Sequence, residues 1–260
     1  MKRMIALVLF ISFAATFNPA QSTRPKGNAK ESAPAGTTAP AATVDQILDK
    51  YILALGGREA LEKITSRITK GSFSFEKGLN ITGETESYSK FPNKNLINTT
   101  LSGLGLIQEG YDGSTAWTKD SSQGLRERKG VEFEEAKLDS EFNRELKLRR
   151  LYPKMEMKGM QKVAGRDAYL IEATPVGSSP EKFYFDAQTG LLVRIDRQRL
   201  SPQGETVAQE IYYEDYREAD GIKVPFGERQ VLPGLTAIIK YSSIKHNLPI
   251  DDAKFVKPSK

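Results

Sequence analysis

From residue 66 onward the chain is a succession of short segments in which apolar and polar residues alternate, punctuated by Gly, Asn and Asp. A period of two puts every second side chain on the same face of a strand, so this pattern, more than any other feature, limits what the chain can fold into. Residues 66–76, 80–91, 95–101, 104–111 and 115–119 form a first series of expected strands. Residues 154–163, 168–174, 181–186, 191–200, 206–216 and 231–241 form a second, making about eleven. Apolar groups fall on one face at Phe73/Phe75, Tyr169/Ile171/Ala173, Phe183/Phe185, Leu191/Val193/Ile195, Ile211/Tyr213 and Leu235/Ala237/Ile239/Tyr241. The other face carries Lys182, Arg194, Asp196, Glu210, Thr236 and Lys240, which predicts an antiparallel sheet wet on one side. A sheet this wide with one apolar face must curl, close or be covered. It then either closes around filling side chains or stays partly open around an apolar hollow.

Helices are few. Val44, Ile47, Leu48, Tyr51, Ile52 and Leu55 recur at three-four spacing behind Thr43 and Gln46, a capping-box pair, and Gly56-Gly57 ends the helix. Residues 58–64 suit a second short helical piece. Between the two strand series, residues 131–151 read as one longer helix with Leu138, Phe142 and Leu146 as its apolar stripe. Two helical regions are too few to cover eleven strands, and the class is a β-dominated α+β domain spanning residues 44–260.

Ahead of it, Lys2 and Arg3 precede fourteen uncharged residues, 4–17, a length suited to a signal-peptide core and short of the roughly 20 residues a spanning helix needs. Cleavage is expected near Ala20 or Ser22, so residues 1–22 are a signal peptide. Residues 23–43, rich in Pro, Ala and Thr without a large apolar group, are expected to be a disordered leader. Lys2, Arg3, Arg24, Lys26 and Lys30 lie before residue 44 with only Glu31 against them. Removing those five from 38 basic residues, and Glu31 from 33 acidic ones, leaves 33 and 32. A nearly neutral domain has no footprint for nucleic acid.

The absence of Cys removes thiol chemistry, disulfides and any lipid anchor on a cleaved N-terminus, and a single His, His246, rules out a multi-histidine metal site. No cofactor is expected. Asp112 and Asp220 precede Gly and read as turn formers; His246, after the last strand, is expected at the surface. Glu132, Glu134, Glu135, Asp139, Glu141 and Glu145 alternate with Lys and Arg, as on a solvated helix face. No catalytic site stands out.

Several turn motifs, taken in order, resemble a known family. They are Ala54-Leu55-Gly56-Gly57-Arg58-Glu59-Ala60-Leu61, Gly110-Tyr111-Asp112-Gly113 with Trp117, and Asp186-Ala187-Gln188-Thr189-Gly190-Leu191. Asp220-Gly221-Ile222-Lys223-Val224-Pro225 and Asn247-Leu248-Pro249-Ile250-Asp251-Asp252-Ala253-Lys254-Phe255 complete the set. Together they resemble the LolA/LolB-like superfamily of periplasmic lipoprotein carriers and lipoprotein-sorting proteins, of which this chain is similar to a diverged member.

The resemblance implies a half-open, strongly curved antiparallel β-barrel with helices across its mouth, holding lipid or lipoprotein acyl chains without a cofactor. On that reading the hollow is lined by Phe73, Phe75, Tyr169, Ile171, Phe183, Phe185, Val193, Ile195, Ile211, Tyr213 and Ile239 from strands, with Leu138 and Phe142 from the lid helix. Trp117 stands either at the mouth or, more simply, as a core anchor beside the Asp112-Gly113 turn. The expected product is a monomeric, non-enzymatic periplasmic carrier acting in lipoprotein transport and outer membrane biogenesis, exchanging cargo with a membrane-associated donor or acceptor. The alternative is a regulatory or scaffold module of the same fold that binds a polypeptide.

Overall fold

The structure is a computed structural model that describes residues 42–77, 79–200 and 205–259. The expected signal peptide and nearly all of the leader lie outside the described residues. Helix α1 (Val44–Ala54) forms as the sequence predicts: Gln46 N donates to Thr43 Oγ1 (3.2 Å) while Thr43 N donates to Gln46 Oε1 (2.9 Å), satisfying two otherwise orphaned amides. Gly57 N closes the helix onto Ile52 O, and the chain turns at once into α2 (Arg58–Glu62).

Among the described residues thirteen strands make one sheet: β1 (Ser66–Lys77), β2 (Thr82–Lys90), β3 (Lys94–Leu101), β4 (Gly105–Tyr111), β5 (Ala116–Asp120), β6 (Gly124–Glu127), β7 (Lys154–Val163), β8 (Arg166–Thr174), β9 (Glu181–Asp186), β10 (Leu192–Leu200), β11 (Thr206–Ala219), β12 (Ile222–Leu232) and β13 (Leu235–His246). Their order is 6-5-4-3-2-1-13-12-11-10-9-8-7, every pair antiparallel, and the sheet does not close.

The count corrects the expected eleven by two. The four-residue β6 is too short to show a period. β12 carries Pro225, Gly227, Glu228, Arg229 and Gln230, a composition that argues against a strand. It pairs with β13 only from Gly227 onward, so Pro225 lies where the strand has β11 alone as neighbour. The expected last strand, 231–241, is therefore the end of β12, a Pro233-Gly234 turn and the start of β13.

The connection from β6 to β7 carries the chain from one edge of the sheet to the other, and along it lie α3 (Val131–Asp139), a 3-10 turn (Arg144–Lys147) and α4 (Leu148–Leu151); a second 3-10 turn (Asp252–Phe255) follows β13. The single helix expected over 131–151 is thus broken. Asn143 takes the left-handed conformation (φ 50°) and its Nδ2 donates to Leu61 O (2.9 Å) and Ile64 O (3.1 Å), capping the end of α2. A side chain spent on a distant helix terminus fixes its own backbone outside the helix.

The main core lies between the sheet's inner face at β8–β10 and the helices α1 and α4, joining Ile47, Leu48 and Tyr51 to Phe142, Leu148, Tyr152, Ile171, Phe183, Phe185 and Ile195. The opposite face is not simply wet: Leu170, Tyr184 and Val193 pack there with Val163 and Ala168.

Candidate ligand-binding site

Two pockets open on the inner face, and each is built from strands that also build the other. The first, of about 210 Å³, is lined by Phe183 and Phe185 of β9, Leu192 and Ile195 of β10, Tyr213 and Tyr216 of β11 and Val224 of β12. Tyr51 and Leu55 from the α1 region and Arg144, Glu145 and Leu148 from the β6–β7 connection close it. Its rings are held edge-on, Tyr51 against Phe185 with centroids 5.2 Å apart and Phe183 against Tyr152 of the core behind it at 5.0 Å.

The second, of about 240 Å³, is lined by Phe73, Thr85, Thr99, Ile107, Glu109, Ile239 and Tyr241, and by Arg128, Asp139, Arg197, Arg199, Gln209, Glu228 and Gln230. Strands β4 and β10 both reach it although six strands separate them in the sheet, a direct measure of the curl. The aromatic pocket and this polar chamber abut where Arg144 of the first pairs with Asp139 of the second (3.4 Å).

The chamber's wall is a continuous hydrogen-bonded chain. Arg197 donates to Asp139 Oδ1 (3.1 Å) and to Gln209 Oε1 (2.8 Å), Gln209 Nε2 to Gln230 Oε1 (2.9 Å), and Gln230 Nε2 to Glu228 Oε1 (2.5 Å). Arg199, 4% exposed, bonds Asp139 and lies 3.4 Å from Glu135, itself 3% exposed. Burial works against the Asp139 charge, yet Arg199, Arg197 and Arg144 around it hold its carboxyl well below the usual range. Burial wins at Glu135 and at Glu228, whose carboxyls are pushed up despite nearby arginines.

These contacts tie α3 across the mouth. Its start is held to β6 by the paired Arg126–Glu132 contacts (2.8 and 3.0 Å), and its end to β10 by Arg197 and Arg199. The acidic face expected in solvent is in part turned inward: Glu135 is buried and Asp139 half-buried against interior arginines.

Of the residues expected to line a hollow, Ile171, Phe183, Phe185, Ile195 and Phe142 are buried together around the aromatic pocket, with Leu138, Tyr169 and Tyr213 packed against them. Ile211 is buried at the cross-strand position to Ile195. Phe73, Phe75 and Ile239 form a separate cluster with Leu101 and Ile107 at the chamber's far side.

Val193 lies on the opposite face, because the β9–β10 register shifts between Leu192 and Arg194 and the alternation skips there. Trp117 also lies away from both pockets, packed with Leu96, Ile250 and Phe255, its Nε1 donating to Phe255 O (3.1 Å). Gly110 across from it is required: a Cβ there would fall 2.2 Å from the Trp117 ring. Sequence reasoning missed Arg197, Arg199, Gln209, Glu228 and Gln230. The same period of two held the signal for the first three, since 195, 197 and 199 share a face, as do 209, 211 and 213.

His246 is not at the surface; its side chain is fully buried. Arg67 Nε donates to its Nε2 (3.0 Å), so Nε2 is the bare nitrogen and Nδ1–H donates to Asp220 Oδ2 (3.1 Å). Burial, and then the Arg67 charge, push its pKa below the ordinary value, so the ring is neutral at pH 7. Asp220 is thus a turn residue at φ 52° that also orients a buried imidazole. Asp112 is a turn former as read, its Oδ1 accepting from Ser114 N and Thr115 N.

No protein family matches the sequence, and no curated protein matches it. Solved structures do match the fold. A DUF1329 family protein from Desulfovibrio piger superposes with a TM-score of 0.57 at 17% identity, over 82% of this chain and 97% of that one. A LolA superfamily protein from Nitrosomonas europaea gives 0.53 at 15%, over 84% and 99%. An outer membrane lipoprotein-sorting protein domain from Vibrio parahaemolyticus gives 0.51 at 10%, over 74% and 89%. The curved antiparallel sheet with helices carried across it is therefore a fold that this chain shares with these structures.

Proposed function

We propose that the chain is an exported, non-enzymatic carrier or binder of lipids or acylated lipoproteins in the periplasm, with residues 1–22 as its signal peptide and 23–43 as a tether. The observation that carries this reading is the aromatic pocket, a concave, partly open space of about 210 Å³ walled by Phe183, Phe185, Leu192 and Ile195 on one side and Tyr51, Leu55 and Leu148 on the other. Apolar surface withdrawn from water there is worth about 25 cal/mol per Å².

The volume lies below the roughly 300–1,000 Å³ of pockets that enclose a whole small ligand. Accepting a full acyl chain therefore requires the wall of Arg144 to Leu151 to move outward, with α3 released from its ion pairs.

The test is native mass spectrometry and lipid extraction of the mature chain expressed in a periplasm, followed by titration with a fluorescent fatty acid. Near-stoichiometric co-purified lipid, and uptake that Leu192→Trp abolishes while Val193→Trp on the other face does not, are the expected results. A clean apo mass with no uptake by the unaltered chain would sink the reading and favour a polypeptide-binding module.

A further inference from the structure

The polar chamber beside the aromatic pocket is oddly furnished for a lipid carrier. Buried ion pairs seldom add stability over a well-packed apolar core, so a chamber lined with them needs another reason. Most of its groups are committed to one another: Asp139 to three arginines, Glu228 to Gln230, Arg197 to Gln209. Arg128 is the exception. Its side chain is 13% exposed, lines the chamber, and among the described residues makes no side-chain hydrogen bond, with Glu109 the nearest acid at 3.9 Å. Its guanidinium thus lines the chamber held only by the long contact to Glu109, with N–H donors that no acceptor of the described residues takes up.

The acids on the far side of the chamber do not reach Arg128: Glu228 is taken by Gln230, and burial pushes both its carboxyl and that of Glu135 upward.

Resting on the carrier reading, we propose that this chamber is the headgroup end of the site, where Arg128 holds the anionic oxyacid group, a phosphate or carboxylate, of an amphiphile whose tail lies in the adjoining aromatic pocket. A guanidinium fork matches the paired oxygens of such a group, and the low-dielectric wall strengthens each bond. Glu109 then sets selectivity by opposing the bound charge. Arg144 and Asp139, at the junction of the two pockets, mark the boundary between tail and headgroup.

The experiment compares two lipids with the same oleoyl chain, lysophosphatidic acid and monooleoylglycerol, with inorganic phosphate as a third probe, titrated by native mass spectrometry. The unaltered chain should bind the phosphate-bearing lipid at least about tenfold more tightly, the value of one charge-assisted contact. Arg128→Gln should erase that difference while leaving monooleoylglycerol unaffected, and Arg128→Lys should keep part of it. Glu109→Gln, which leaves Arg128 in place, should raise affinity for the anionic lipid alone.

Equal binding of the two lipids, or Arg128→Gln weakening both alike, or Glu109→Gln changing neither, overturns the headgroup assignment while the carrier reading stands. Inorganic phosphate binding as tightly as the lipid also overturns it, in favour of a free-anion site. Binding of neither lipid overturns both.

Discussion

The aromatic pocket and the polar chamber share strands, yet they are held together by different physics. On β10 the inner face runs Ile195, Arg197, Arg199, and on β11 it runs Gln209, Ile211, Tyr213, so the change from apolar to charged lining occurs within single strands. At the apolar end, interlocked rings of Tyr152, Phe183 and Phe185 fill the space under α1 and α4. At the charged end, side chains are fixed by hydrogen bonds to one another, and α3 is secured by the same groups. One end is stabilised by volume and the other by pairing. A change in volume should therefore damage the first, and a change in charge balance the second.

The largest effect tests volume. Phe183→Ala deletes a ring that is 1% exposed and wedged between two others, which should lower unfolding free energy by about 3–5 kcal/mol in chemical denaturation. A loss under about 1 kcal/mol would mean the pocket is already loosely packed and the two ends do not differ.

Pairing is tested next, by Arg199→Met. Removal of the arginine strips the ionised Asp139 of a partner and leaves buried Glu135 without its nearest cation, and the expected cost is about 3 kcal/mol. Adding Glu135→Met should restore most of it, since an apolar pair of similar volume replaces a buried ion pair at little cost. If the double variant is no better than the single, the charges serve stability and not recognition.

Thr43→Ala is smaller and local. Loss of the capping-box hydroxyl should cost about 1 kcal/mol and speed amide exchange over residues 44–55, leaving α3 unchanged. Equal acceleration in α3 would show that the two walls open as one unit.

Much of this contrast was legible in the sequence and the rest was hidden for definable reasons. Capping at Thr43, the Gly56-Gly57 stop, the Asp-Gly turns and ten of the strands follow from local chemistry, which needs no knowledge of the partner segment. The break at Asn143 depends on carbonyls of Leu61 and Ile64, about eighty positions away in the chain, so nothing near Asn143 announces it. Val193 was misplaced by a one-residue register shift that a strict alternation cannot foresee. The chamber was missed because charged residues are read as solvent-facing, whereas Arg197 and Arg199 are carried inward by parity and stay there because α3 brings Asp139 and Glu135 to meet them.

Glu228→Gln is the finest test of the pairing end, because it removes a charge and almost no volume. Burial raises the Glu228 pKa in the folded chain above its ordinary 4.5. The folded state therefore keeps this proton over a pH range in which the unfolded state has released it. By linkage, the contribution of Glu228 is most favourable below about pH 4.5 and declines as pH rises through the folded value. Glutamine keeps the amide-to-oxygen contact with Gln230 and cannot ionise, so the decline disappears. Denaturation of both proteins across pH 4 to 8 should give nearly coincident stabilities at the acid end and a more stable variant at neutral pH. A variant less stable than the parent at pH 7 would instead make Glu228 an ionised partner of Arg197.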